Sequence, residues 1–239
     1  MALNDLNMII GGVQKNSFID YPGKISCVLF LSGCNFSCPY CHNPDLARGR
    51  PTGAFCPTPD EFLEFLEKRR TFLEGVVISG GEPTLQTDLP EICDDIKKRG
   101  YSVKLDTNGS RPQMVRRLIE EGLVDYVAMD IKTDPRHYPP FIHVRDQEHR
   151  IRESIGIVMR SAAAYEFRTT CVKPIISDTV IDTIGRQIEG ADRYVLQSFQ
   201  DLSLLNPEYF RGIDPAFTSE QMLRLKEAAE RWVRDCVIR

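Results

Sequence analysis

The sequence predicts an α/β protein, an open partial (β/α)6 barrel with a curved parallel sheet. Short apolar runs rich in β-branched residues alternate with amphipathic segments, which is the order of strands and helices in a parallel sheet with right-handed crossovers. Six such pairs can be counted, too few to close a barrel of eight strands. In sheets of this kind, functional residues lie at the carboxyl ends of the strands.

The six strands are predicted where apolar residues follow one another almost without a break, as in strands covered on both faces. They are residues 25–31, 75–79, 102–106, 126–130, 166–172 and 193–197.

Helices are predicted between the strands. The first begins after Thr58, which is typical of an N-cap, with Pro59 in its first turn and Phe62, Phe65 and Leu66 at helical spacing. The others are residues 88–99, 112–121, 148–164, 178–189 and 219–237, and Gly100, Gly122 and Gly190 each follow one as a stop. Residues 135–146 and 202–217 are predicted to be loops.

Composition places the chain among soluble globular proteins, with 42% apolar residues, 27% charged residues and a net charge of −4. A mildly acidic chain lacks the excess of basic residues that is typical of nonspecific nucleic-acid binding. No apolar run is long enough to span a bilayer, and the first ten residues lack the basic start of a signal peptide. We therefore expect a cytoplasmic protein that binds neither nucleic acid nor membrane. One domain is predicted over 1–239, with 1–24 leading into the first strand and 202–239 forming a loop and a helix.

Three of the eight cysteines, Cys34, Cys38 and Cys41, lie within eight residues directly after the first predicted strand. In a reducing compartment such a cluster indicates metal ligands or redox groups rather than disulfides. A zinc ion held by these thiolates and His42 is one alternative, although neighbouring Cys41 and His42 fit one tetrahedron poorly. Three metal-free thiols are another. An iron–sulfur cluster with one open position fits a single short loop better because it is larger than one ion. The five other cysteines show no paired spacing, so we expect one cluster only.

Polar residues follow each of the next three strands. The turn after the second strand contains Gly80, Gly81 and Glu82. Its glycines either let the backbone approach a ligand closely or serve only to form a tight turn. Asp106 and Thr107 end the third strand, where the aspartate could equally be a cap. The remaining candidates are an Asp130–Lys132 pair on one face of the fourth strand, which could also be a surface ion pair, and Arg168, a charge inside the fifth strand that needs a partner.

The C-x3-C-x2-C spacing, with Tyr40 before the last cysteine, is similar to the signature of the radical S-adenosylmethionine (SAM) superfamily. In that family three cysteines hold a [4Fe–4S] cluster whose fourth iron is chelated by SAM, and one electron cleaves SAM to methionine and a 5′-deoxyadenosyl radical. The resemblance implies that Cys34, Cys38 and Cys41 hold the catalytic cluster and that Tyr40 and His42 adjoin the cofactor.

The strand-end motifs extend this resemblance. Gly80-Gly81-Glu82-Pro83 resembles the family motif that binds the methionine amino group of SAM. The other strand-end residues resemble motifs of the glycyl-radical-enzyme activases. That implies cofactor contacts or a monovalent-cation site at Asp106, Thr107 and Asp130, with Lys132 and Arg168 as further cofactor contacts.

Residues 11–24 and 41–46 resemble the longer, single-cluster type of anaerobic ribonucleoside-triphosphate reductase activating protein. This implies an enzyme that removes a hydrogen atom from a glycine of a partner enzyme and receives its electron from a flavodoxin, a ferredoxin or a similar donor. One alternative is a radical SAM enzyme acting on a small molecule, such as a carboxy-deazaguanine synthase. Another is a noncatalytic iron–sulfur or zinc module, which gives no reason for the glycine motif or the aspartates.

Overall fold

The computed structural model describes residues 8–51, 55–138, 148–161, 163–200 and 203–239, without the side chain of residue 137. Within these residues one sheet contains eight strands in sequence order. They are β1 (Ile10–Ser17), β2 (Ser26–Leu31), β3 (Gly75–Gly80), β4 (Ser102–Thr107), β5 (Tyr126–Asp130), β6 (Ala164–Cys171), β7 (Tyr194–Ser198) and β8 (Cys236–Ile238). β1 pairs with β2 in antiparallel fashion, whereas β2–β3, β3–β4, β6–β7 and β7–β8 are parallel.

Seven α-helices are described, and most connect successive strands. They are α1 (Pro44–Ala47), α2 (Pro59–Lys68), α3 (Leu89–Lys98), α4 (Pro112–Glu120), α5 (Glu148–Met159), α6 (Asp178–Gln187) and α7 (Ser219–Glu230). Short 3-10 turns lie at Pro83–Leu85, Pro135–His137 and Pro207–Phe210. No helix in the described ranges has both the length and the apolar character to cross a bilayer.

The predicted α/β class and the six predicted strands are confirmed. They are β2 to β7, with ends that differ from the prediction by at most two residues. The three glycines predicted to end helices all have positive φ, as such stops require. Of the predicted loops, residues 139–146 and 202 lie outside the described residues. The described remainder contains the 3-10 turns at Pro135–His137 and Pro207–Phe210.

Both outer strands were missed by the sequence analysis. β1 lies inside the segment predicted only to lead into the first strand, and its middle residues are exposed polar ones. β8 lies inside the predicted helix 219–237, which instead ends at Glu230. The chain turns there because Trp232 packs against Gly185 and donates to Asp182 (3.0 Å). The predicted helix 148–164 was also too long, since α5 ends at Met159 and β6 begins at Ala164.

The described residues form two compact units. One comprises those within Met1–Asn35, Asp45–Thr107 and Gln113–Val127, and the other those within Phe36–Pro44, Asn108–Pro112 and Ala128–Arg239. The single domain expected over 1–239 stays a prediction.

In the first unit, α2 and α3 contribute core residues beside those of β2 to β4. Phe62 and Ile92 of these helices are fully buried, as are Leu29 and Ile78 of the strands. A capping box fixes the start of α2, where Thr58 and Glu61 exchange hydrogen bonds; a cap of this kind contributes about 1 kcal/mol.

In the second unit, buried side chains come from β6 and β7 and from helices α5 to α7. Phe167 and Tyr194 are fully buried, and the Tyr194 hydroxyl lies 2.7 Å from that of Thr169. Beside β7, Arg239 joins the sheet through its backbone, donating to Leu196 (2.9 Å) and accepting from Ser198 (2.7 Å). Its guanidinium donates to both oxygens of Glu166, a fully buried carboxylate, at 3.2 Å each.

Replacing Arg239 is expected to destabilise the fold because it removes a two-point partner from a buried carboxylate. For Arg239→Ala we expect a loss of about 2 kcal/mol in the free energy of unfolding, measured by urea titration. Arg234→Ala is the matched control, since its ion pair with Asp192 is exposed and should contribute less than about 0.5 kcal/mol. Equal losses in the two variants would contradict the role given to Glu166.

Candidate active site

The Gly80-Gly81 turn after β3 packs against the backbone that leads into the cysteine loop. The Gly81 amide donates to the Leu31 carbonyl, and the Glu82 amide donates to the Gly33 carbonyl, both at 2.8 Å. A Cβ atom at Gly81 would lie 2.1 Å from the Gly33 oxygen, and one at Gly80 (φ +121°) would lie 2.3 Å from the Leu31 oxygen. Both glycines are thus required by close contact between two backbone segments. Contact of Gly80 and Gly81 with SAM stays a prediction.

Glu82 links the end of β3 to the end of β4. Its carboxylate is almost fully buried, at 1% exposure. One oxygen accepts from the Thr84 amide (3.1 Å), from the Thr84 hydroxyl and from the Thr107 hydroxyl (2.7 Å). Since buried carboxylates need such donors, this network fixes Glu82 in one orientation.

Asp106, on the same strand as Thr107, is paired with a lysine that the sequence analysis missed. Lys104 is 2% exposed, and its ammonium group donates to one oxygen of Asp106. The other oxygen accepts from the Ser79 hydroxyl at 3.1 Å. Alternation along β4 could have revealed the pair, because residues two apart lie on one face. The same argument did identify Asp130 and Lys132.

In the second unit, two predicted residues, Lys132 and Arg168, contact a third, Asp130. Its two oxygens accept from Arg168 Nε (2.7 Å) and Lys132 Nζ (2.9 Å). Burial opposes ionisation of Asp130, but the two cations outweigh it and hold the pKa of this carboxyl well below its usual range. Burial likewise opposes the charge on Lys132, yet Asp130 raises the pKa of that ammonium group.

The second and third cysteines lie in a turn of the second unit, where the Cys41 amide donates to the Cys38 carbonyl (3.0 Å). Burial raises the pKa of the Cys38 thiol to about 11, and the Lys132 ammonium group acts in the opposite direction. Tyr138, a residue the sequence analysis missed, accepts from the Lys132 amide (2.6 Å) and meets the Phe36 ring edge-on at 5.8 Å. Its place in an irregular segment gave no sequence signal.

Two polar atoms of this loop, Tyr40 Oη and His42 Nε2, are buried in the described structure without a nitrogen or oxygen partner, and Tyr40 Oη neighbours the Cys38 sulfur. Burial raises the pKa of Tyr40 well above its usual value, and the Cys38 sulfur raises it further. Burial lowers the pKa of His42, which favours a neutral imidazole, and its ring lies 5.9 Å from that of Phe199. Buried orphan polar atoms are rare in native proteins, so both fit a site that receives a polar ligand.

Backbone hydrogen bonds connect the start of the cysteine loop to α1. The Gly33 amide donates to Leu46 (2.7 Å), and the Cys34 amide donates to Ala47 (3.1 Å). No disulfide joins any of the eight cysteines, all of which lie in the described ranges. Cys27 and Cys171 are fully buried in strands, as core residues are, whereas Cys56 is exposed.

Three histidines lie outside the cysteine loop, and the structure describes the side chain of only one of them. His149 is exposed, while His143 and the side chain of His137 lie outside the described residues. In the described ranges, no three side chains of His, Cys, Asp or Glu are arranged to hold a single metal ion.

The sequence profile of the radical SAM superfamily matches residues 28–163, more than half of the chain and a range that contains all three cysteines of the loop. The chain belongs to the radical SAM superfamily. Membership of this superfamily implies a [4Fe–4S] cluster and SAM as cofactors. The three thiols, which lie within eight residues of the sequence, and the buried polar atoms of Tyr40 and His42 fit both groups.

Relatives of this radical SAM protein include named activating enzymes. A Methanocaldococcus jannaschii protein, provisionally named a glycyl-radical enzyme activating enzyme, is 33% identical over 98% of this chain and 97% of its own length. The pyruvate formate-lyase-activating enzyme of Clostridium pasteurianum is also 33% identical, but over only 52% of each chain.

Solved structures show the same fold at low sequence identity. SuiB of Streptococcus suis, bound to SAM in its crystal structure, superposes with a TM-score of 0.64 at 15% identity, over 88% of this chain and 51% of SuiB. An archaeal TYW1 superposes with a TM-score of 0.56 at 13% identity, over 87% of this chain and 72% of TYW1. The predicted partial-barrel class is therefore confirmed, while the chain spans only about half of SuiB.

Alanine at Gly81 is expected to disrupt the contact with the cysteine loop. Its Cβ would meet backbone, which cannot rotate away, so we expect Gly81→Ala to lower the free energy of unfolding by about 3 kcal/mol. Gly156→Ala is the control. There the new Cβ would meet only the flexible end of Arg160, and helix propensity favours alanine by about 1 kcal/mol. Similar urea midpoints for Gly81→Ala and the wild type would refute the steric argument.

Asp130→Asn should destabilise the protein in a pH-dependent way. The variant leaves two poorly exposed cations without their carboxylate, which costs about 3 kcal/mol at pH 7. Because the folded pKa lies below the unfolded value of about 3.9, the contribution of Asp130 is complete above about pH 5 and fades as the pH falls towards 2. Urea unfolding at several pH values measures it.

Asp192→Asn is the control for that series, since the Asp192–Arg234 pair is exposed and should show little effect at any pH. A loss in Asp130→Asn that stays constant from pH 7 down to pH 3 would contradict the assigned pKa direction.

Proposed function

We propose that this protein is a glycyl-radical-enzyme activase whose partner is the anaerobic ribonucleoside-triphosphate reductase. The observation that carries the activase is the similarity to the Methanocaldococcus jannaschii relative, because it extends over nearly the full length of both chains. The reductase is supported by the resemblance of residues 11–24 and 41–46 to its activating proteins. A flavodoxin, a ferredoxin or a similar donor supplies the electron, and the reaction takes place in the cytoplasm.

In this proposal Cys34, Cys38 and Cys41 hold the [4Fe–4S] cluster. When bound, the cluster and SAM supply a 5′-deoxyadenosyl radical that abstracts a hydrogen atom from a glycine. Metal ligation requires the thiolate form. Burial alone disfavours a thiolate at Cys38, and the Lys132 ammonium group eases its deprotonation.

The polar residues of the strand ends and the loop then bind SAM. Glu82, Gly80 and Gly81 are assigned to its amino group, for which a buried carboxylate is a suitable acceptor. The cations Lys132 and Arg168, oriented by Asp130, suit the carboxylate and the ribose. Asp106 and Thr107 adjoin the methionine moiety.

Tyr40 and His42 bring polar atoms that need partners, and the adenosine moiety carries several hydrogen-bonding groups. The burial of Cys38 and Tyr40 keeps water from this part of the loop, which protects a radical from side reactions.

The proposal is tested by electron paramagnetic resonance on an anaerobic mixture of the reconstituted, reduced protein, SAM and the anaerobic reductase from the same source. We expect a glycine-centred doublet that is absent without SAM. A doublet with pyruvate formate-lyase in place of the reductase would keep the activase and replace the partner. Formation of 5′-deoxyadenosine without a doublet on either protein would still support radical SAM chemistry, but it would refute the activase.

Matched cysteine variants connect the signal to the cluster. Cys38→Ala should lose bound iron and sulfide together with the doublet, whereas Cys56→Ala should keep all three, because Cys56 is exposed and lies outside the loop. Wild-type iron content in Cys38→Ala would remove that residue from the ligand set.

A further inference from the structure

The cation implied by the activase resemblance agrees poorly with the contacts of the residues assigned to it. The resemblance gives Asp106, Thr107 and Asp130 as possible ligands of a monovalent cation. Hard cations are bound through the lone pairs of oxygen atoms and favour negatively charged sites. Each of these three side chains already has a partner within the chain.

Asp106 shows this most clearly. One of its oxygens accepts from Lys104 and the other from Ser79, so the charge of the carboxylate is neutralised by a neighbouring ammonium group. Lys104 is 2% exposed, and its Nζ also lies 5.9 Å from the centre of the Tyr126 ring. A buried lysine is retained as a cation only when it is paired in this way.

The two other assigned residues are engaged as well. The Thr107 hydroxyl donates to Glu82 at 2.7 Å. Asp130 lies between Lys132 and Arg168, so two positive charges already balance its one negative charge. With these partners, neither Thr107 nor Asp130 carries an unbalanced negative charge that would attract a further cation.

A sodium or potassium ion at Asp106 would also stand beside the Lys104 ammonium group. Like charges at such short range repel strongly where water is scarce. The ammonium group has the same charge as the ion, and its covalent attachment keeps it at Asp106 at every salt composition. It can therefore serve as a built-in counter-ion.

We propose that Lys104 supplies at Asp106 the positive charge that the resemblance assigns to a monovalent cation, so that this protein binds SAM independently of Na⁺ and K⁺. The inference rests on the proposed function only in taking Asp106 as part of the SAM site. It concerns binding and not the glycyl radical.

Anaerobic calorimetry of SAM binding to the cluster-loaded wild-type protein tests the inference without any substitution. Titrations in potassium, sodium and choline chloride at equal ionic strength should give dissociation constants that agree within about twofold. An affinity that rises about fivefold or more when choline is replaced by potassium or sodium would overturn the inference.

Lys104→Met removes the ammonium group at similar side-chain length. With its iron content and circular dichroism first compared with the wild type, it should bind SAM at least about fivefold more weakly in choline than in potassium chloride. Lys97→Met removes a partly buried, ion-paired lysine elsewhere in the same unit and should show no such difference. Lys104→Arg keeps the charge and should stay independent of the cation.

The outcomes separate this inference from the proposed function. Salt-independent binding of SAM without a glycyl radical on either partner refutes the activase and leaves Lys104 in its role. Cation-dependent binding in the wild type refutes the role of Lys104 and leaves the activase. Wild-type affinity of Lys104→Met in choline chloride also refutes it, and failure of the wild type to bind SAM in every salt overturns both.

Discussion

The side-chain conformations at the strand ends depend on the cost of burying a charged group. Glu82, Asp106 and Asp130 all stand at or just after the ends of strands, where apolar strands leave little water to solvate a carboxylate. Each is satisfied within the chain, Glu82 by hydroxyl and amide donors and the two aspartates by ammonium and guanidinium groups. These pairs fix side-chain orientations before any ligand arrives, and such preorganisation is what a binding site for a polar cofactor needs.

The route of the backbone complements these pairs. The chain leaves β2, forms the cysteine loop and returns through α1, while the turn after β3 packs against the start of that loop. The glycine motif stabilises the start of the loop through two backbone hydrogen bonds, which Gly81 and Glu82 donate to Leu31 and Gly33. A motif can therefore serve the site through backbone packing in addition to any contact with a ligand.

Sequence patterns predicted β2, β3 and β7 well because these strands are largely buried and carry nearly continuous apolar runs. β4 and β6 were found although the buried charged residues Lys104 and Glu166 interrupt their apolar runs. β1 escaped detection because its glycines and exposed polar residues resemble a loop, and β8 because three residues give no period of their own. The cysteines and strand-end aspartates were identified by motif. Lys104 was overlooked although its partner Asp106 lies two residues further along the same strand. Tyr138 lies in an irregular segment with no pattern that would indicate its contact with Lys132. Glu82, by contrast, was expected to contact a ligand. Its observed partners are Thr84, two residues further along the same turn, and Thr107, a tertiary neighbour on β4.

The close packing of Gly80 and Gly81 limits how this sequence can change over generations. Every amino-acid replacement of a glycine adds at least a Cβ atom, and at both positions that atom would overlap backbone rather than a movable side chain. A conservative exchange is thus not available, however mild its chemistry. Drift at these two codons is restricted to silent changes unless the facing backbone at Leu31 and Gly33 moves in the same lineage.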